Sequence, residues 1–464
     1  MNRARWLTGS APGMLLLVGA TAAVKSIPVY AQWIVATYVV LAVVLATAVL
    51  RGWSVGVSGR RAGAVVLATA GVLTYLVPSF TYLAPASAAG VRAFVAAGSV
   101  AVAVAFGFAP RWHRAVALGL AAAVFAVGAA AVIHLDPAPR IDVWYTLQGA
   151  ADGILHGQDM YTQVWPHSPG EKDAFTYLPW TAVLLVPFKL VAGDVRWGLA
   201  VAQLLAAAVV ALGRTGEADG GDGAAGRGRR DTAACAGALL LLLPGTLTQI
   251  EQAWTEPLIF LLLAVALLAV ATGRMWPAVG FVALALASKQ HIVLLLPLLA
   301  AWRAFGVRRT LAAAAAAAVL VLPWALWDPG AMWHDTVTLL VGFHPIRFAD
   351  TLYLAAIHEL GWTPPFWLTG ALVLAVVAGM TLAVRWLDPS AGRFAAFAAV
   401  TLFGANLLNK QAFYNQYWLV GALVLLAWPA VGRRPAAALV TSRSRSATAA
   451  APVAAIPASP PGSS

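Results

Sequence analysis

Between Leu7 and Val431 the chain keeps returning to one pattern: an apolar run, a short polar joint, and another apolar run. A helix needs about 20 mostly apolar residues to cross the hydrocarbon core of a bilayer. A bilayer accepts only segments whose backbone polar groups are satisfied internally. The pattern therefore points to an all-α, polytopic membrane bundle. Composition agrees, since 61% of the 464 residues are hydrophobic and only 10% charged, against roughly 25% charged in a soluble domain. A soluble globular enzyme is excluded, and the single cysteine, Cys235, excludes an intrachain disulfide or a cysteine-based metal cluster.

Apolar runs at 7–24, 28–50, 62–83, 91–109 and 115–134 are followed by others at 195–213, 232–248, 257–272, 276–288, 291–302, 310–327, 366–384, 394–408 and 417–431. These predict about 12 to 14 crossing helices, with the two short runs at 276–288 and 291–302 open to being one broken helix. Residues 178–192, carrying Pro179, Pro187 and Lys189, read better as a segment lying in the interface. Residues 1–110 then form an extension of about four helices, and 111–432 a core.

The net charge of +12 comes in small arginine clusters between apolar runs, not in one stripe. It reads as the positive-inside signal and not as a nucleic-acid footprint. Arg3, Arg5, Arg51, Arg60, Arg61, Arg111 and Arg114 mark one side as cytoplasmic, as do Arg274, Arg303, Arg308, Arg309, Arg385, Arg393, Arg433 and Arg434 further on. Both termini are then cytoplasmic, and the first span is retained instead of being cleaved as a signal peptide. Residues 135–177 and 328–350 become outer loops. Residues 214–231, Gly-rich and Arg-bearing, become a disordered cytoplasmic loop, and the Ala-, Ser- and Pro-rich residues 433–464 a disordered cytoplasmic tail. The Ala, Gly, Val and Arg bias fits a GC-rich bacterial genome, and hence a bacterial plasma membrane.

On this topology only Glu217, Asp219, Asp222, Asp231 and Asp388 of the 18 acids lie inside. The other acids, and all five lysines, gather outside or at the outer ends of spans. The outer face is therefore where polar chemistry is expected. Its first loop opens with an amphipathic helix from Asp142 to His156, closed by Gly157. At about 100° per residue, Asp142, Tyr145, Gly149, Asp152 and His156 share one face, and Val143, Leu147, Ala150 and Ile154 the other.

The runs Asp142-Val143-Trp144-Tyr145, Leu155-His156-Gly157-Gln158-Asp159-Met160-Tyr161 and Phe175-Thr176-Tyr177-Leu178-Pro179 resemble the first extracytoplasmic loop of GT-C glycosyltransferases. The resemblance is greatest to glycosyltransferase family 87, whose members include polyprenyl-phosphate-mannose-dependent mannosyltransferases of the cell envelope. It spans residues 115–431, and departs from the family's Gly-x-Asp-Pro-Tyr-like turn at Met160. It implies a GT-C-like bundle with interfacial helices in the first outer loop. It also implies transfer of a hexose, mannose by preference, from a polyprenyl-phosphate sugar to a lipid or glycan acceptor on the extracytoplasmic face.

Such a reaction needs a base for the acceptor hydroxyl and groups that receive charge on the departing phosphate. By resemblance Asp142 is the base, with Asp136 second; Asp136 reads equally well as a loop acid near a helix start. Lys289, in Ser288-Lys289-Gln290-His291, either contacts phosphate, as a basic residue at a comparable point of the family does, or snorkels to the interface. His291 adjoins it. His344 and Arg347 in the second outer loop can bind phosphate and assist proton transfer, or be plain surface. Asn409, Lys410 and Gln416 flank a polar, aromatic outer turn suited to sugar hydroxyls, and Tyr145, Asp152, His156 and Tyr177 complete the expected substrate-binding set. Gln249, Glu251, Gln252 and Glu256 either line this cavity or cap it. No Asp-x-Asp pair occurs in the first outer loop and no His-x-x-x-His in the chain, so neither a metal site nor any cofactor is expected. A transporter or lipid flippase is the competing class, but transporters place charges near the membrane midplane, whereas these acids sit in loops.

Overall fold

The computed structural model describes residues 11–25, 29–52, 59–109, 112–213 and 224–430. Five helices come first: α1 (Ala11–Lys25), α2 (Gln32–Leu50), α3 (Arg60–Leu76), α4 (Pro85–Phe108) and α5 (His113–Leu135). Small residues set how closely they pack. A methyl at Gly71 or Gly98 would press into Ser99 or Val124 of the neighbouring helix, the close approach that glycine permits in membrane bundles.

The chain then turns out of the bundle into α6 (Asp142–Leu155), a 3₁₀ turn at Met160–Thr162, and two short helices, α7 (Trp180–Val183) and α8 (Val186–Ala192). It re-enters as α9 (Arg196–Leu212). The segment Trp180–Ala192 and α9 meet at 112°, and the bend is made at Gly193, whose φ of 76° is open to a residue without a Cβ.

The remainder comprises α10 (Ala224–Leu242), α11 (Thr246–Glu251), α12 (Glu256–Ala271), α13 (Met275–Ser288), α14 (Leu296–Ala301), α15 (Gly306–Trp327), α16 (Pro329–Trp333), α17 (Leu339–Gly342), α18 (Leu352–Leu360), α19 (Phe366–Leu387), α20 (Ala391–Leu408) and α21 (Tyr414–Ala427). No strand occurs among the described residues, and the chain is an all-α, multi-pass membrane protein. Within the 18-residue apolar windows, α20 is 83% buried and α2 and α15 only 17%, so α20 is the central post and the other two face lipid.

Six described helices, α2, α4, α5, α15, α19 and α20, are long and apolar enough to cross alone. That is fewer than the apolar runs suggested, because several runs fold into shorter pieces such as α12 and α13. The two runs left open as one broken helix form two helical segments separated by an extended residue, Lys289. α13 ends at Lys289, which pairs with Glu256, the first residue of α12. The following segment ends at Trp302, whose indole donates to the Pro389 carbonyl at 2.7 Å. Its first half, Gln290–Leu295, is 3₁₀ helix, and the larger rise of about 2.0 Å per residue carries 12 residues roughly 21 Å.

Residues 224–231, expected in a disordered loop, instead form the first turns of α10. Asp231 there accepts from His113 Nε2 at 2.9 Å and lies 3.8 Å from Arg114, which docks the helix start against α5. Residues 214–223 and the expected tail at 433–464 lie outside the described residues.

Candidate active site

The connections on either side of α6, and those from α10 to α12, α13 to α14, α15 to α19 and α20 to α21, converge at one end of the bundle. Hydrogen bonds stitch them together: Gln290 Nε2 donates to Thr176 O at 2.8 Å, Asn415 Nδ2 to Glu256 at 2.9 Å, Tyr414 OH to Pro244 O at 2.6 Å and Tyr417 OH to Asp350 O at 2.7 Å.

The α6 helix forms over the expected residues, with Leu147, Ala150 and Ala151 buried. Its outer side is less open than the helical wheel suggests, because Trp165 lies over Gly149 and Gln163 over Gly153. What fixes α6 is a salt-bridged turn that the sequence reading did not single out. Arg196 is fully buried and grips Asp194, with Nη2 to Oδ2 at 2.7 Å. It also donates to the carbonyls of Glu251 and Ile133 at 3.4 Å and stands 5.7 Å from the Trp144 ring centroid. Trp144 Nε1 donates to Asp194 at 3.4 Å, while the Gln148 side chain accepts from Val195 N and donates to Gly193 O. One guanidinium thus ties α6, α9, α11 and the end of α5 together. The available signal was an arginine two residues after an aspartate at the head of an apolar run.

Asp142 stands at the N-terminus of α6, where helix N–H groups favour a carboxylate. Its Oδ1 accepts from Val143 N at 2.8 Å and its Oδ2 from Glu171 N at 3.3 Å. The 168–173 loop can press this close because Gly170 has no Cβ; one would overlap the Asp142 carboxylate. The carboxylate is half-buried, and among the described residues no cation lies within salt-bridge distance of it. Its charge acts on two phenols. Removal from water, the Glu256 carboxylate and then Asp142 push up the Tyr177 hydroxyl. Burial, then Asp142 and Glu251, push up that of Tyr82. Arg140 stands 6.0 Å over the Tyr82 ring.

Beneath Tyr177 lies a buried polar cluster. Lys289, 7% exposed, is paired with the fully buried Glu256, donates to Thr255 Oγ1 at 2.9 Å and stands 5.4 Å from the Tyr177 ring centroid. Lys289 is therefore not a snorkelling side chain. Glu256 Oε2, Asn415 Oδ1 and both side-chain polar atoms of Gln249 are buried with no protein partner, so this region has spare hydrogen-bonding capacity. His291, one turn on, is partly buried. Glu251 turns away, accepting from Thr81 Oγ1 at 2.6 Å and Tyr82 N at 2.7 Å.

The other expected residues fall elsewhere. Asp136 ends α5, with Oδ2 buried and unpartnered. Tyr145 packs edge-on against Trp144 at 5.0 Å. Asp152 and His156 are exposed and 3.7 Å apart, with Lys189 also 3.7 Å from Asp152. Asp152 is ten residues along the helix from Asp142, about 15 Å, so one reaction centre does not span both. His344 and Arg347 are exposed, and their backbone carbonyls, not their side chains, accept from Gln411 and Tyr30. Lys410 donates to the carbonyls of Val341 and Phe343 at 2.5 and 2.7 Å, and burial lowers its pKa. Asn409 is exposed and Gln416 partly buried. Among the described residues no three His, Cys, Asp or Glu side chains are arranged to hold a metal ion.

The sequence model of glycosyltransferase family 87 matches residues 175–409, half of the chain. The chain belongs to glycosyltransferase family 87. No curated protein matches it. The family match takes in Tyr177, Arg196, Glu256, Lys289, His291, His344, Arg347 and Asn409 and begins beyond Asp142. The chain is thus a membrane-embedded glycosyltransferase, a class whose donors and acceptors are in general lipid-linked.

Proposed function

We propose that this family 87 glycosyltransferase moves a hexose, mannose by preference, from a polyprenyl-phosphate sugar to an envelope lipid or glycan on the extracytoplasmic face, with Asp142 as general base. The observation that carries the reading is a half-buried carboxylate at a helix N-terminus with no cation within salt-bridge distance among the described residues. A carboxylate without a cation partner keeps its lone pairs for a proton. Asp142 removes the proton of the acceptor hydroxyl, and the oxygen attacks the anomeric carbon as the bond from that carbon to the phosphate oxygen breaks. The phosphate leaves with that bonding pair. Arg140, two residues before Asp142, and the ammonium proton of Lys289 not committed to Thr255 or Glu256 are the groups assigned to meet its charge. The reading calls on no metal. The base sits on the same side as the outer acids, which supports an extracytoplasmic site.

The test compares purified wild-type protein and Asp142→Asn with a polyprenyl-phosphate mannose donor and envelope lipid extract, reading sugar increments by mass spectrometry. The expected result is a mass increase of one hexose with wild type and none with a folded Asp142→Asn. Full activity in that variant overturns the base assignment, and no increment with wild type overturns the donor.

A further inference from the structure

A groove of about 60 Å³ opens between α3, α4, α5 and the α10–α11 turn, outside the Asp142 pocket. Its lining is mainly apolar, with Val95, Val132, Leu242 and Leu247 among its walls, and Ser79, Thr81 and Glu251 are polar members of it. Arg92 and Thr74 line it as well.

Arg92 is the eighth residue of α4, a helix apolar enough to cross the membrane, and so stands about 10 Å along it. Its Nε is shut off from solvent without an acceptor, and among the described residues no carboxylate is within salt-bridge distance. A charge at such a place is costly unless it meets an opposite charge or water. Thr74, 8% exposed, aims a second unpartnered polar atom into the same groove. Glu251, in the same lining, is not within salt-bridge distance of Arg92, and its Oε1 accepts from Thr81 and Tyr82.

A cation and a hydroxyl in the wall of a mainly apolar groove fit an anion attached to a hydrocarbon chain. We propose that this groove binds one anionic phospholipid of the bilayer, with its phosphate on Arg92 and Thr74 and an acyl chain along Val95, Val132, Leu242 and Leu247. The site gives the first helices a ligand of their own, wedged where they meet α10 and α11. It stands independently of the transfer reaction.

Native mass spectrometry of the full chain in detergent tests it, with three probes: phosphatidylglycerol, diacylglycerol with the same chains, and glycerol phosphate. The expected result is retention of one phosphatidylglycerol, and at least tenfold weaker retention of both other probes. Arg92→Gln should weaken phosphatidylglycerol about tenfold or more, the loss expected for one charge-assisted hydrogen bond, and Arg92→Lys should recover most of it. Thr74→Val should weaken it by a smaller factor, and serves with the probe comparison on wild type if Arg92→Gln does not fold. Diacylglycerol binding as well as phosphatidylglycerol, glycerol phosphate binding as well as the lipid, or unchanged retention by folded Arg92→Gln each overturns the proposal.

Discussion

The two ends of α6 carry the same kinds of residue on the same helical face and have opposite surroundings. At its start, Asp142 is half-buried and held by two backbone N–H groups, and its charge acts on Tyr82 and Tyr177. At its finish, Asp152 and His156 are 52% and 66% exposed and share their charge with Lys189 and water. The difference arises from what the chain does next. The 168–173 loop folds back over Asp142, while the last turn of α6 projects from the bundle. A helical wheel reports which residues share a face; it does not report which part of that face another segment covers.

The sharpest way to break this comparison is to neutralise each end separately. Asp142→Asn should lower transfer about 10²- to 10⁴-fold, the range of a lost general base, with the melting temperature in detergent little changed. Equal loss from Asp152→Asn would sink the distinction.

Next in size is the cluster beneath Tyr177. Glu256→Ala leaves the Lys289 charge buried without its partner and should cost about 3 to 5 kcal/mol of stability. The double variant Glu256→Gln with Lys289→Met should recover part of that loss in denaturant or thermal unfolding. A single variant as stable as wild type would show that the pair is hydrated and not structural.

The second loop gives a pH signature of its own. Asp350 is 6% exposed, accepts from Ala31 N at 3.0 Å and is pushed up by burial from 3.8 to about 6. The folded chain therefore holds a proton that the unfolded chain releases. Its contribution to stability is fully present below about pH 4 and is lost as pH rises towards 6. Melting temperatures across that window should fall with rising pH, and Asp350→Asn should flatten the slope.

The smallest effect belongs to the exposed end of α6. Asp152→Asn combined with His156→Ala should change stability by no more than about 0.5 kcal/mol, as expected for surface substitutions, and leave transfer rates within twofold.

Much of this molecule is legible in the order of its residues. Apolar runs bounded by arginines place the helices because a bilayer leaves the backbone few alternatives, and α6 emerges at the expected residues because its apolar positions recur every three to four. The family resemblance carried by Phe175 to Pro179 falls inside the family match. Lengths were harder, since 290–295 adopts 3₁₀ geometry under tertiary constraint and the Arg-bearing start of α10 is secured by His113 across 118 residues.

Partnership is what the sequence did not disclose. Lys289 and Glu256 lie 33 residues apart, and Arg196 reaches the carbonyls of residues 55 and 63 positions away. Hydropathy counts each such charge as an interruption, whereas packing turns it into a tie between helices. The sequence by itself determined that the chain lives in a membrane and which few residues carry charge, because water and lipid sort residues one at a time. Which charges are neutralised, and which carboxylate oxygens are left without a partner, was decided only by the tertiary structure, because pairing depends on distances between residues far apart in the chain.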